Sequence, residues 1–193
     1  MLCDVIVDEA AFRFVAGRHS VDFTGTLGKR WRDQPVERIP DAAALGRWFA
    51  ESGLTGAPVA VTATALRHAY PLREALYRLM LAPVFGERPT RGDLELVNHW
   101  AARTPPAVAL DASLTARLVE PTAEELLALL ARDGVDLLGS PQGERLRECS
   151  SETCTLLYLD TSRAGSRRWC AMDVCGSRDK MARYRRRAGT AGD

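Results

Sequence analysis

CSSETCTLLYLDTSRAGSRRWCAMDVC, residues 149–175, holds four of the chain's five cysteines, and its reading divides the protein in two. The spacing is Cys149-x4-Cys154, then fifteen residues, then Cys170-x4-Cys175. Two short turns bearing two thiols each can close on one ion, and zinc takes four thiolates in a tetrahedron at about 2.3 Å. The gap within each pair is wider than the usual two residues yet inside the range zinc sites use. Neither pair has the C-x-x-C spacing of dithiol exchange. Cys149, Cys154, Cys170 and Cys175 are therefore expected to hold one structural Zn2+, with Cys3 uninvolved. His19, His68 and His99 lie far along the chain and show no ligand spacing. Four sulfurs close a zinc shell, whereas catalytic zinc keeps an open position, and no nucleophile and base stand at a convincing spacing elsewhere. No catalytic residue is assigned, and the protein is not expected to be an enzyme.

Between the cysteine pairs, 156–160 reads as a strand, 163–166 as a turn and 167–170 as a second extended run, so a hairpin is expected to join the two cysteine turns. Gly176 gives the backbone room to turn, and a helix should run from Ser177 to about Arg187. Cys175 then sits near a helix N-terminus, where the positive end of the dipole favours a thiolate. Ser177, Met181 and Tyr184 share one face of that helix, expected to pack on Leu157 and Leu159.

The net charge of +1 conceals a segregation, because residues 163–187 carry nine Lys/Arg against two Asp, while residues 1–162 carry 17 basic and 22 acidic side chains. An acidic body with a basic end suits a polyanion partner. The start of the chain shows neither a basic leader nor a long apolar run, and no later stretch reaches membrane-spanning length, so a cytoplasmic protein without a membrane partner is expected.

Upstream, the reading is mainly α. Runs 11–16 and 20–24 flank a Gly-Arg-His turn and predict a short N-terminal β-hairpin. Asp41 caps a helix with Leu45, Trp48 and Phe49 on one face, stopped at Gly53. A longer helix over 60–81 should kink or break near Tyr70, because Pro71 inside it costs about 3 kcal/mol. A helix over 90–103, two short extended pieces around Asp111, and a helix capped by Thr122 with Glu125 in a reciprocal capping box follow. The turn-rich Ser140-Pro141-Gln142-Gly143 is the expected boundary between a multihelical domain, 1–140, and a small zinc module of hairpin and basic helix, 141–193. The first is expected to fold on its own when the chain is cut near Ser140.

The stretch 145–187 resembles the CGNR zinc finger. The resemblance rests on Cys149, Cys154, the Tyr158-Leu159-Asp160-Thr161-Ser162-Arg163 segment, the Arg167-Arg168-Trp169-Cys170 run and Cys175-Gly176-Ser177-Arg178, in which Ser177 stands where the family has Asn. Upstream, Val21-Asp22-Phe23-Thr24-Gly25-Thr26, Leu72-Arg73-Glu74-Ala75-Leu76 and 131–138 are similar to segments of the ABATE domain that precedes this finger, with Gly25 in place of the family's Asn. The resemblance implies a mainly helical domain coupled to a DNA-binding finger in a stress-induced regulator of transcription.

Double-stranded DNA is the expected partner, met by Arg178, Lys180, Arg183, Arg185, Arg186 and Arg187 with Arg163, Arg167 and Arg168 in support. The alternative is a zinc-stapled protein-interaction module with a solvated arginine face. Asp22, Trp31, Trp48 and Arg73 are the candidates for a small-molecule or protein effector site in the helical domain, with core packing and an internal salt bridge as their ordinary roles.

Overall fold

The computed structural model describes residues 10–31 and 33–189, with Arg183 and residues 185–189 described as backbone only. Cys3 lies outside the described residues. The protein is mainly helical, with a small strand-containing module at the four cysteines. Its helices are α1 (His19–Thr24), α2 (Ala42–Glu51), α3 (Ala63–Phe85), α4 (Arg91–Ala101), α5 (Ala123–Leu138) and α6 (Ser177–Gly189). Among the described residues three antiparallel strand pairs accompany them: β1 (Leu27–Gly28) with β2 (Val36–Glu37), β3 (Val108–Leu110) with β4 (Ala116–Leu118), and β5 (Leu146–Glu148) with β6 (Leu157–Leu159).

Side-chain caps start α2, α3, α4 and α5, with α3 beginning at Ala63 and not at residue 60. Asp41 accepts from the Ala44 N–H at 2.7 Å, Thr62 from Ala65 at 3.0 Å, and Thr90 from Asp93 at 3.2 Å. Thr122 and Glu125 form the reciprocal box. Val21, Phe23, Leu45, Trp48, Phe49, Leu72, Leu76, Leu126 and Leu130 then fill one continuous core between α1, α2, α3 and α5.

Two local expectations fail for physical reasons. Residues 20–24 belong to helix α1, and the N-terminal hairpin is instead β1–β2. Alternating Val21 and Phe23 suggested a strand, but α1 is buried on both faces. Several of its polar groups find partners in place: Ser20 N–H donates to Asp133 Oδ2, Thr24 Oγ1 to the Val21 carbonyl, and Asp22 accepts from Ala16 N–H at 3.0 Å. Second, of the kink or break expected near Tyr70 the break does not occur, since α3 runs through Pro71 and Pro83 without interruption. Ala65 and Ala69 before Pro71, and Leu72, Leu76 and Met80 after it, are all fully buried in the same core. Each large apolar side chain buried is worth about 1.5–3 kcal/mol, so together they exceed the cost of one lost helical bond.

The core does not stop at residue 140. Pro141–Arg145 forms a 3-10 turn that leads directly into β5, and Leu146, Leu156, Leu157, Tyr158 and Leu159 join the buried cluster of the helices. Leu159 N–H donates to the Ala16 carbonyl at 3.0 Å, Arg30 N–H to Thr155 Oγ1 at 3.2 Å, and Tyr77 OH to the Thr155 carbonyl at 3.4 Å. At Gly25 an added Cβ would come 3.2 Å from Leu156 Cδ2 and 3.0 Å from the Asp22 carbonyl, so a larger residue would wedge α1 away from the finger.

Candidate metal centre

The first cysteine turn is held by backbone bonds. Cys149 N–H continues the β5–β6 ladder to the Leu156 carbonyl at 3.0 Å, and Cys154 N–H closes a turn on the Ser151 carbonyl at 2.9 Å. The second turn ends in one turn of π-helix, Met172–Gly176, that runs straight into α6, and Cys175 N–H donates there to the Ala171 carbonyl at 3.0 Å. Cys175 therefore stands at the mouth of a helix, as expected.

The four Sγ atoms all lie within 4.8 Å of one another. Cys154 and Cys170 sulfurs are 3.8 Å apart, and Cys170 and Cys175 sulfurs 3.6 Å. A tetrahedron with Zn–S of about 2.3 Å has edges of about 3.8 Å, so the donor set fits zinc in type, number and separation. Cys170 N–H donates to Cys149 Sγ at 3.4 Å, an outer contact suited to a thiolate. The Cys149 thiol is held below its ordinary range by its hydrogen bond with Cys154, and the same contact pushes Cys154 above it. A bound divalent cation supplies the charge that lets all four sulfurs be thiolates together.

The path of the chain between the turns differs from expectation. β6 pairs with β5, upstream of Cys149, and not with 167–170. Asp160 is the cause. Its carboxylate accepts from Ser162 N–H at 2.9 Å, Ser162 Oγ at 2.6 Å and Arg167 N–H at 2.9 Å, which curls 161–166 into a loop and holds the acid below its ordinary range. Ser150 N–H donates to the Arg168 carbonyl at 2.9 Å, a backbone tie between the two cysteine turns. Asp160 followed two residues on by Ser162 is an Asx-turn signature that could have exposed this in the sequence.

The basic residues divide. Arg163, Arg168, Arg178 and Lys180 are exposed. Arg167 is turned inward: its guanidinium lies 4.6 Å from the Tyr158 ring centroid, Nε donates to the Trp169 carbonyl at 2.8 Å, and Nη2 donates to the Cys170 carbonyl. It braces the second cysteine turn. Arg183, Arg185, Arg186 and Arg187 lie on the backbone of α6. The expected packing of Met181 and Tyr184 on Leu157 and Leu159 is absent. Those leucines face the helical core, while Tyr184 is 68% and Met181 38% exposed. Among the described residues, α6 packs substantially only against the turn it springs from.

The four effector candidates are not gathered into one site. Trp48 is fully buried between Phe14, Phe23 and Phe49. Asp22 caps Ala16, and burial pushes its carboxyl up to about 6. Arg73, 3% exposed, spends its fork on Glu37 at 2.8 and 2.8 Å, on Glu74 at 2.8 Å and on Thr26 Oγ1 at 3.2 Å. Trp31 is 64% exposed, with its ring centroid 6.2 Å from that of Tyr77. A cleft of about 510 Å³ lies elsewhere, between 53–59, the β3–β4 hairpin and α5.

Among the described residues no helix is long and apolar enough to cross a membrane. No curated protein matches the chain. Residues 145–188 match the CGNR zinc finger, and residues 17–141 match ABATE, whose description reads "Putative stress-induced transcription regulator". With the greater part of its length in that match, the chain belongs to the ABATE family and carries a CGNR zinc finger whose four cysteines are positioned to bind a metal ion.

Proposed function

We propose that the protein is a DNA-binding regulator of transcription in which zinc fixes the finger and α6 meets the duplex. One observation carries this reading: a 13-residue helix starts next to the fourth cysteine and projects from the zinc module with six Lys/Arg along it. At 100° per residue, positions 178, 180, 183, 185, 186 and 187 cover an arc of about 220°, leaving Ser177, Met181 and Tyr184 on the remainder. The helix is roughly 20 Å long and of a diameter that the major groove admits. Arg163 and Arg168 add exposed charge on the finger, and Arg167 serves by positioning the second cysteine turn. The closed four-sulfur shell gives the metal a structural and not a catalytic role. The helical domain would receive the effector, and the cleft of about 510 Å³ offers space for it that Asp22, Trp31, Trp48 and Arg73 do not.

A second reading is favoured by the exposed Met172, Met181 and Tyr184, which suit a protein partner on the finger. Replacing Arg183, Arg185 and Arg186 together by Ala separates the two. DNA binding predicts weaker affinity and a salt dependence shallower by about 0.9 in log–log slope for each phosphate no longer neutralised, at unchanged zinc content. Arg91→Ala, at an exposed ion pair on α4, should change neither quantity. If the triple variant binds duplex as the parent does, the interaction-module reading takes over.

A further inference from the structure

We propose that the helical domain itself takes part in DNA binding, with Arg13 and Arg178 clasping one backbone phosphate across the seam between the two family segments. The inference rests on the DNA-binding reading above and extends it to a residue outside the finger. A small cleft of about 30 Å³ opens beside the sulfur cluster, lined by Arg13, Lys29, Arg38 and Arg178 with Thr153 and Thr155 among its other walls. Its volume is enough to admit a water-sized group such as a phosphate oxygen, for which roughly 10–15 Å³ is the minimum.

The four cations come from the segment before α1, the residue after β1, the residue after β2 and the first turn of α6. They converge in space although the body that supplies three of them, residues 1–162, has 22 acidic side chains against 17 basic ones. No carboxylate lines the cleft among the described residues. Arg38 forms a fixed positive wall: Nε donates to the Ala11 carbonyl and Nη1 to the Gly25 carbonyl, each at 2.9 Å. The guanidinium lies flat on Gly28, where an added Cβ would come within 2.4 Å of Nη1. The guanidinium groups of Arg13 and Arg178, by contrast, have no hydrogen bond or ion pair with any described residue, so their charge remains available to the cleft they line. Glu152 and Asp179 line an adjoining groove together with Arg178. Like charges held this close repel, and an anion between them converts that repulsion into attraction. A duplex lying along α6 supplies such an anion next to the helix that carries Arg178.

The test is an anisotropy titration of a labelled duplex with the full-length, zinc-loaded protein over a series of salt concentrations. Arg13→Glu should weaken binding about tenfold or more and flatten the log–log salt slope by about 0.9, the share of one phosphate. Arg13→Lys should restore most of both, and Arg13→Ala combined with Arg178→Ala should lose less than the sum of the single changes, because the two share one phosphate. Zinc content and melting temperature report the integrity of each variant. Should Arg13→Glu prove unstable, Arg13→Lys decides: near-parental affinity supports the clasp, and affinity as low as that of Arg13→Ala overturns it. Parental affinity and slope in Arg13→Glu would overturn the clasp while leaving the role of α6 intact, whereas failure of the parent protein to bind duplex removes both. Inorganic phosphate provides the last arm. If Arg13→Glu abolishes phosphate binding but leaves duplex binding unchanged, the cleft serves a free anion and the clasp is overturned.

Discussion

Helix α5 and the finger are stabilised by different means. α5 keeps its place because Leu126, Leu127, Leu130 and Leu137 recur on one face and are all fully buried. The finger contributes a short apolar strip from β5 and β6 to that same core and depends on four sulfurs for the rest of its path. Burial fixes a helix at every turn, so periodicity in the sequence reveals its whole course. A metal fixes only four points, so ligand spacing reveals the site and leaves the chain between the ligands open.

Removing the metal should separate the two regions most strongly. Structural zinc in small modules supplies on the order of 10 kcal/mol near neutral pH, more than a short strand pair and one helix can replace. Metal analysis should find one zinc per chain, and Cys175→Ser should lose it. Chelation should disorder the finger while the helical signal of α1 to α5 largely persists. The melting temperature of the remainder should fall, because α1 and α3 lose the cover of β6 and β5. Full zinc occupancy in Cys175→Ser removes the assignment. Loss of all helical signal on chelation would make the metal the keystone of both regions. The same shared core bears on a cut after Ser140, which would strip Leu146 and 156–159 from the helices and leave a fragment less stable than the intact chain.

The opposite region is probed through Trp48, fully buried against Phe23 and Phe49. Trp48→Ala should cost about 3–5 kcal/mol in thermal or denaturant unfolding, while the folded variant still binds one zinc at room temperature. Loss of zinc at temperatures where the helices remain folded would mean that the two regions depend on each other more closely than their packing suggests.

A smaller effect is expected inside the helical core. Burial raises the Asp22 carboxyl to about 6, above its unfolded value, so the fold favours the protonated acid. Its contribution is therefore fully favourable below about pH 4 and declines as pH rises to about 6. Above that it costs up to about 3 kcal/mol. Asp22→Asn can still accept the Ala16 N–H, so it should be more stable than the parent near pH 7 and lack this decline. Identical pH profiles for the two proteins between about pH 4 and 7 would contradict the burial argument.

The same contrast between regions explains which features could be read from the sequence. Asp41, Thr90, Thr122 and the apolar stripes behind them locate α2, α4 and α5 because caps and burial act locally. Pro71 misleads because its cost is local while the compensating burial of Leu72, Leu76 and Met80 is tertiary. Residues 20–24 mislead because a helix buried on both faces shows no stripe. In the finger, the cysteine spacing names the ligands, but the partner of β6 depends on the three bonds to Asp160, and the inward turn of Arg167 depends on Tyr158 and two knuckle carbonyls. Arg13, Lys29 and Arg38 carry no local signal of meeting Arg178, since only the fold brings them together.

Whether the metal-held helix α6 binds duplex DNA is decided most simply by titrating the zinc-loaded protein with duplex at about 50 and 200 mM salt. Six to nine basic groups neutralising phosphates predict binding at low salt that weakens by roughly a thousandfold or more at the higher concentration, through release of condensed counterions. The triple Ala variant should show a smaller loss. Absence of salt-sensitive binding by the intact, zinc-loaded protein at micromolar concentration would contradict a DNA-binding role for α6.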